Sequence, residues 1–228
     1  MEYPKIHSLY KREGWYFDQA QKVDNAFQET RQSLIPGDYA EPEFENVKKW
    51  RVVEKIDGTN IRIIWQRMGT DGELSIRFGG RTKNAQIPCH LLDYLQTTFT
   101  SEILDQVFPI DKTASGILFG EGFGPKIQKG GEKYQTSPGF ILFDALIGNW
   151  WLKYEDVKAI AQQLGIPVVP DLGIMTEEEV VDFVKSKPES VLNPDYGCME
   201  GVVCRTEPMM LFRKGTPVIF KLKCKEFV

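Results

Sequence analysis

Lys55-Ile56-Asp57-Gly58 is the stretch of this chain whose residue types most invite chemistry. A lysine two residues ahead of Asp-Gly, at the end of a strand, can serve as a covalent nucleophile. The same four residues also read as a hairpin with a solvated lysine and an Asp-Gly turn. Residues further along the chain tip the balance. Phe119-Gly120-Glu121-Gly122 sets a carboxylate between glycines at a strand end, and Phe143-Asp144 sits within an apolar strand. Met199-Glu200-Gly201-Val202-Val203 brings another carboxylate to the mouth of a strand. Lys221-Leu222-Lys223 puts both ammonium groups on one face, because strand side chains alternate with period two. Singly, each has an ordinary reading: solvated strand ends for Glu121 and Glu200, core for Phe143, an edge-strand polar face for the lysines.

Together, in this order and rough spacing, these motifs resemble the covalent nucleotidyltransferase superfamily of polynucleotide ligases and mRNA capping enzymes. Lys55-Ile56-Asp57-Gly58 is similar to its nucleophile motif; Glu121, Phe143, Glu200 and the Lys221/Lys223 pair are similar to its later motifs, over about residues 50–225. Thr59-Asn60 resembles the RNA ligase 2 class, whereas DNA ligases and capping enzymes usually carry arginine at the position of Asn60. Gly80-Arg81-Thr82-Lys83-Asn84-Ala85 and the opening Tyr3-Pro4-Lys5-Ile6 resemble small phage and bacterial RNA ligases.

The resemblance implies a fold and a mechanism. The fold is α+β, with antiparallel β-sheets and flanking helices around an ATP cleft, a nucleotidyltransferase of ATP-grasp-like arrangement. In the mechanism Lys55 attacks the α-phosphate of ATP, leaving a covalent lysyl-AMP. AMP then passes to an RNA 5′-phosphate, and a 3′-OH displaces it. Lysine has a reference pKa near 10.4, so nearby cations (Lys221, Lys223 and a divalent metal, Mg²⁺ or Mn²⁺) are expected to lower it and to neutralise the α-phosphate. By the same resemblance Glu121 binds the AMP ribose, Phe143 stacks on adenine and Glu200 helps hold the metal or its waters. Asp57 and Asn60 order the nucleophile loop and metal waters, and Arg81 contacts the RNA 5′-phosphate. The main chain near Val53 and Glu54 is left for the adenine edge.

The sequence departs from the pattern at two points. The RNA ligase 2 class often has histidine where Asp57 stands. The chain also ends soon after Lys223, which leaves no room for an OB-fold or a helical domain. The expectation is therefore a single nucleotidyltransferase domain over 1–228, acting on RNA with 5′-phosphate and 3′-OH ends in a nicked or other duplex. A protein partner would then supply end recognition. The alternatives are a DNA ligase, a capping guanylyltransferase, or a non-catalytic module that binds nucleotides or RNA ends. Loss of Lys55 or Lys221 would have favoured the last, yet both are present.

These side chains need elements to position them. Trp50 to Ile56, Asn60 to Gln66 and Glu73 to Phe78 read as strands joined by turns at Asp57-Gly58 and Thr70-Asp71-Gly72, an antiparallel meander. Further strands are expected at Ile117 to Glu121, Phe140 to Ile147, Gly201 to Arg205 and Pro217 to Lys223. His90 to Val107 carries apolar residues at helical spacing. Tyr154 to Leu164 and Thr176 to Lys187 read as further helices, the latter opening on a Thr176/Glu179 capping-box pattern. In the polar first fifty residues a helix is expected over Asp18 to Ser33, stopped at Pro36-Gly37.

With 228 residues, the chain can bury a core without disulfides. Hydrophobic residues at 42% and charged residues at 26% exclude a disordered chain. A net charge of −4 excludes a polybasic nucleic-acid binder, so any nucleic acid must meet a local patch; Lys126, Lys129 and Lys133 hint at one but equally suit a solvated loop. The 4 cysteines form no CxxC pair, and only 2 histidines accompany them, so zinc-ligand spacing is lacking. Free thiols, an N-terminus without an apolar leader and apolar runs too short for a bilayer point to a cytoplasmic protein with no membrane partner.

Overall fold

The computed structural model describes residues 1–12, 34–69, 72–109, 114–128 and 131–227. The helix expected over Asp18 to Ser33 lies outside the described residues, as do Thr70, Asp71 and Lys129. The chain divides into two units. The lysine-bearing unit comprises Lys5–Lys55, Asp171–Pro188 and Cys198–Val228; the larger unit comprises Met1–Pro4, Ile56–Pro170 and Glu189–Gly197.

In the lysine-bearing unit, alternation within Trp50–Glu54 (β4) sends Trp50 and Val52 to one face. β4 is paired antiparallel on one side with β10 (Asp171–Met175) and on the other with β11 (Gly201–Arg205). β11 pairs antiparallel with β12 (Ile219–Lys223), and short β1 (His7–Ser8) adds a parallel edge. The inner face buries Trp50, Val52, Val202, Cys204, Phe220 and Leu222 against Val180 and Val184 of α4 (Glu177–Lys185). Trp50 meets Phe220 edge-on at 4.7 Å, a geometry favoured by the ring quadrupoles. The expected capping box forms: Glu179 N–H donates to Thr176 Oγ1 at 3.3 Å, and Thr176 N–H donates to Glu179 Oε2 at 2.7 Å. A separate ribbon pairs β2 (Tyr10–Arg12) with β3 (Leu34–Tyr39), so Pro36-Gly37, expected as a stop, lies within a strand. Gly37 permits this with a φ of +84°.

The larger unit has one antiparallel sheet, in the order β6 (Glu73–Gly80), β5 (Thr59–Met68), β7 (Ser115–Phe123), β8 (Gly139–Ile147), β9 (Trp150–Trp151). Ile61, Ile63, Leu118, Phe140 and Leu142 form its apolar face. Packed on it are α1 (Cys89–Thr98), α2 (Ser101–Val107) and α3 (Tyr154–Leu164), through Leu91, Leu95, Leu104, Val157 and Ala161. Burying each such side chain contributes roughly 1.5–3 kcal/mol.

Two further expectations are corrected. The single helix read over His90 to Val107 is two helices, because Thr100 leaves the helical path and caps α2, its hydroxyl accepting from Ile103 N–H at 3.4 Å. The break lets Leu95 and Phe99, then Leu104 and Phe108, all reach the core. The three-strand meander is also wrong, since β4 and β5 belong to different sheets. Both edges of β4 are taken by β10 and β11, and both edges of β5 by β6 and β7. Long-range pairing overrides the local Asp-Gly turn signal, and of these three strands β5 and β6 form the hairpin.

Candidate active site

Sheet register explains why the lysines converge. Val53, Val203 and Lys221 form one cross-strand row, and Gly201 pairs with Lys223 in the next. Lys55 continues β4 into that second row, its N–H donating to the Gly201 carbonyl at 2.9 Å. Lys55, Lys221 and Lys223 therefore share one face of the sheet, opposite the core. Gly201 separates Lys55 from Lys223 and leaves the space between them open. Its φ of +152° and a Cβ that would lie 2.1 Å from the Leu222 carbonyl oxygen exclude any larger residue.

Glu200, beside that glycine, binds both neighbours. Lys55 Nζ donates to its Oε2 at 2.5 Å, and Lys223 Nζ lies 2.7 Å from its Oε1. Burial pushes the Glu200 carboxyl up, but Lys55 and Lys223 outweigh burial and hold it below the ordinary value. Lys221 is pushed down to about 8, first by burial and then by the ammonium groups of Lys223 and Lys55. The Glu54 side chain, in register with Val202, points to the opposite face and is buried there.

In the larger unit, Asn60 and Glu121 are cross-strand partners on β5 and β7. Gly58 runs so close beneath them that a Cβ would lie 2.4 Å from the Gly122 carbonyl oxygen and 2.7 Å from Glu121 Cγ. Glycine at position 58 thus seats the chain against Glu121. The Asn60 amide oxygen is buried with no hydrogen-bond partner among the described residues. An unmet acceptor costs about 1–3 kcal/mol, which a donor such as a ribose hydroxyl or metal-bound water would recover. Phe143 lies at a bulge in β8, where the register shifts between Phe119/Asp144 and Gly120/Leu142. The shift turns Phe143 and Asp144 to the same face, away from the core. Arg81 is exposed in the loop after β6.

Sequence reasoning missed the side chains that brace these groups. Tyr3 stands edge-on to Phe143 at 5.0 Å and donates to Asp144 Oδ2 at 2.6 Å. Arg62 holds the start of the chain by donating to the Met1 carbonyl at 2.6 Å. Tyr134 and Tyr196 both reach Asp57. In the sequence, Tyr3-Pro4-Lys5-Ile6 carries only a likeness and no role for Tyr3, and no local pattern marks Tyr134 or Tyr196.

Among the described residues no group of three His, Cys, Asp or Glu is gathered to hold a metal. A lone carboxylate such as Glu200 suits a hard cation that takes its other ligands from phosphate and water.

A lysine face fringed by one bridging carboxylate thus stands on an antiparallel α+β fold. The chain belongs to the RNA ligase family, whose model matches residues 48–223. Its fold is similar to that of a Naegleria gruberi RNA ligase variant solved with ATP and Mn, with 17% identity and a TM-score of 0.56 over 80% of this chain. It is also similar to an archaeal ATP-dependent RNA ligase, with 21% identity and a TM-score of 0.53 over 82% of this chain. The chain spans about half the length of these proteins, 51% and 46% respectively. No curated protein matches this chain. No helix among the described residues is long and apolar enough to cross a membrane.

Proposed function

We propose that this chain is a nucleotidyltransferase domain that carries out ATP-dependent RNA ligation through a covalent AMP on Lys55. The observation that carries the reading is the shared face of Lys55, Lys221 and Lys223 with Glu200 bound to two of them. An ion-paired ammonium has no lone pair to attack with. Glu200 must therefore release Lys55 and accept its proton or give way to another base. Lys55 Nζ then attacks the α-phosphorus, the bond to pyrophosphate breaks, and a phosphoramidate to AMP remains. Lys221 and Lys223 balance the growing negative charge on the phosphoryl oxygens. An RNA 5′-phosphate oxygen next displaces Lys55, and a 3′-OH finally displaces AMP to form the phosphodiester.

Glu121 is assigned the ribose, Phe143 the adenine face, and Asp57 and Asn60 the order of the nucleophile loop and metal waters. Arg81 is assigned the RNA 5′-phosphate, because its planar fork matches phosphate oxygens. The main chain at Val53 and Glu54 is assigned the adenine edge. Glu200 would hold Mg²⁺ or Mn²⁺, which supplies charge neutralisation at the phosphates. Structures of Naegleria gruberi RNA ligase variants solved with Mn and with ATP or AMP support that choice. The substrate read from this is an RNA nick, because a duplex aligns the two ends and misplacement by about 1 Å can cost on the order of 10²-fold.

The test incubates the protein with each α-labelled NTP and Mg²⁺, denatures it, and maps the label. ATP label on Lys55, lost in Lys55→Ala, supports the reading. Preferential GTP labelling moves the assignment to capping, and sealing of an all-DNA nick as fast as one with an RNA 3′-OH strand removes the RNA assignment.

A further inference from the structure

Asp57 is gripped at two atoms by two tyrosines from separate loops of the larger unit. Its backbone N–H donates to the Tyr134 hydroxyl at 3.3 Å, and the Tyr196 hydroxyl donates to its Oδ2 at 3.4 Å. Bonds this long are individually weak. The rings themselves are held firmly. They stack at 4.3 Å with planes 10° apart, and Phe123 packs edge-on against Tyr134 at 5.6 Å.

The two loops are also tied together through their main chains. Asn193 Nδ2 donates to the carbonyls of Lys133 at 2.8 Å and Tyr134 at 3.3 Å. Its Oδ1 accepts from Asp195 N–H at 3.1 Å and so shapes the short turn that presents Tyr196. The Lys133 ammonium lies 5.8 Å from the centre of the Tyr196 ring, within cation–π range. Packing alone would be served by phenylalanine at both positions. What the hydroxyls add is a pair of contacts to one residue, two places after Lys55 in the chain.

We infer that Tyr134 and Tyr196 are positioning residues for the covalent step, clamping Asp57 so that the nucleophile motif keeps one geometry. The inference rests on Lys55 being the nucleophile. The clamp acts on Asp57 and not on ATP directly, so loosening it lowers the rate at saturating ATP and leaves ATP binding nearly intact.

Two measurements decide it. The first follows Lys55 labelling against ATP concentration in the wild type, Tyr134→Phe and Tyr196→Phe, variants that keep both rings. Each is expected to lower the saturating rate about three- to tenfold with KM for ATP within about twofold. The second follows amide hydrogen exchange at Asp57, expected to quicken in Tyr134→Phe while the melting temperature holds. Wild-type saturating rates in both variants, a loss confined to KM, or unchanged Asp57 exchange would each overturn the inference. Failure of the wild type to label Lys55 overturns the functional reading itself, and the catalytic role of the clamp with it; the exchange arm still reports on the clamp as a contact.

Discussion

The lysine-bearing unit presents charges that already answer one another, whereas the larger unit presents, beside its own carboxylates, an aromatic ring and an acceptor unmet among the described residues. On the first, Glu200 bridges Lys55 and Lys223, and Lys221 stands beside them at about 8. On the second, Asn60 has a buried oxygen without a partner among the described residues, and Phe143 is turned out of the core beside Tyr3. The difference separates two kinds of work. On the proposed function, charged groups act on a reaction whose charge changes, so the first face would govern rate. An aromatic and a waiting acceptor would recognise a ligand whose shape does not change, so the second would govern affinity.

Lys55→Ala makes the sharpest cut. It is expected to abolish covalent labelling while the melting curve survives, because the side chain lies on the face away from the core. Lys221→Ala and Lys223→Ala come next. At least one should slow labelling by about 10²–10³, with little change in KM, as removal of a charge-stabilising donor typically does. Equal rates in all three chains would erase the contrast between the units.

Lys221 also carries a pH dependence. A lysine lowered to about 8 loses its charge as pH rises through that value. If its charge is needed, kcat/KM for ATP, which reports the free enzyme, should fall above about pH 8. Lys221→Arg keeps its charge and should move that fall to higher pH. An unmoved alkaline limb assigns it to another group.

Phe143→Ala tests the other face. Loss of a base–aromatic stack is worth roughly 1–3 kcal/mol, so KM for ATP should rise about tenfold or more with a smaller change in saturating rate. A pure rate defect would mean the division of labour is drawn wrongly. The smallest effect is expected outside both faces. Thr176→Ala removes the cap of α4 and should cost about 1 kcal/mol in a denaturant titration, with labelling unchanged.

Much of the site was legible because its residues lie in strands whose alternation is local. Lys221 and Lys223 share a face as their spacing requires, and Glu200 stands at the start of β11 as expected. The capping box of α4 was legible for the same reason, since both partners lie within one turn. The break at Thr100 was not, because the apolar spacing continues across it and only burial of Phe99 and Phe108 favours two helices.

By itself the sequence determined most strands of the two larger sheets and the candidate site groups, through periodicity and through the types and order of Lys55, Glu121, Phe143, Glu200, Lys221 and Lys223. The tertiary structure alone decided that Asp57-Gly58 leaves one sheet for another instead of closing a hairpin. It alone paired Glu200 with Lys55 and brought Tyr134 and Tyr196 to Asp57, contacts that span 145, 77 and 139 positions. Contacts between residues so far apart leave no trace in local spacing; strand pairing and core packing select them only once the whole chain has folded.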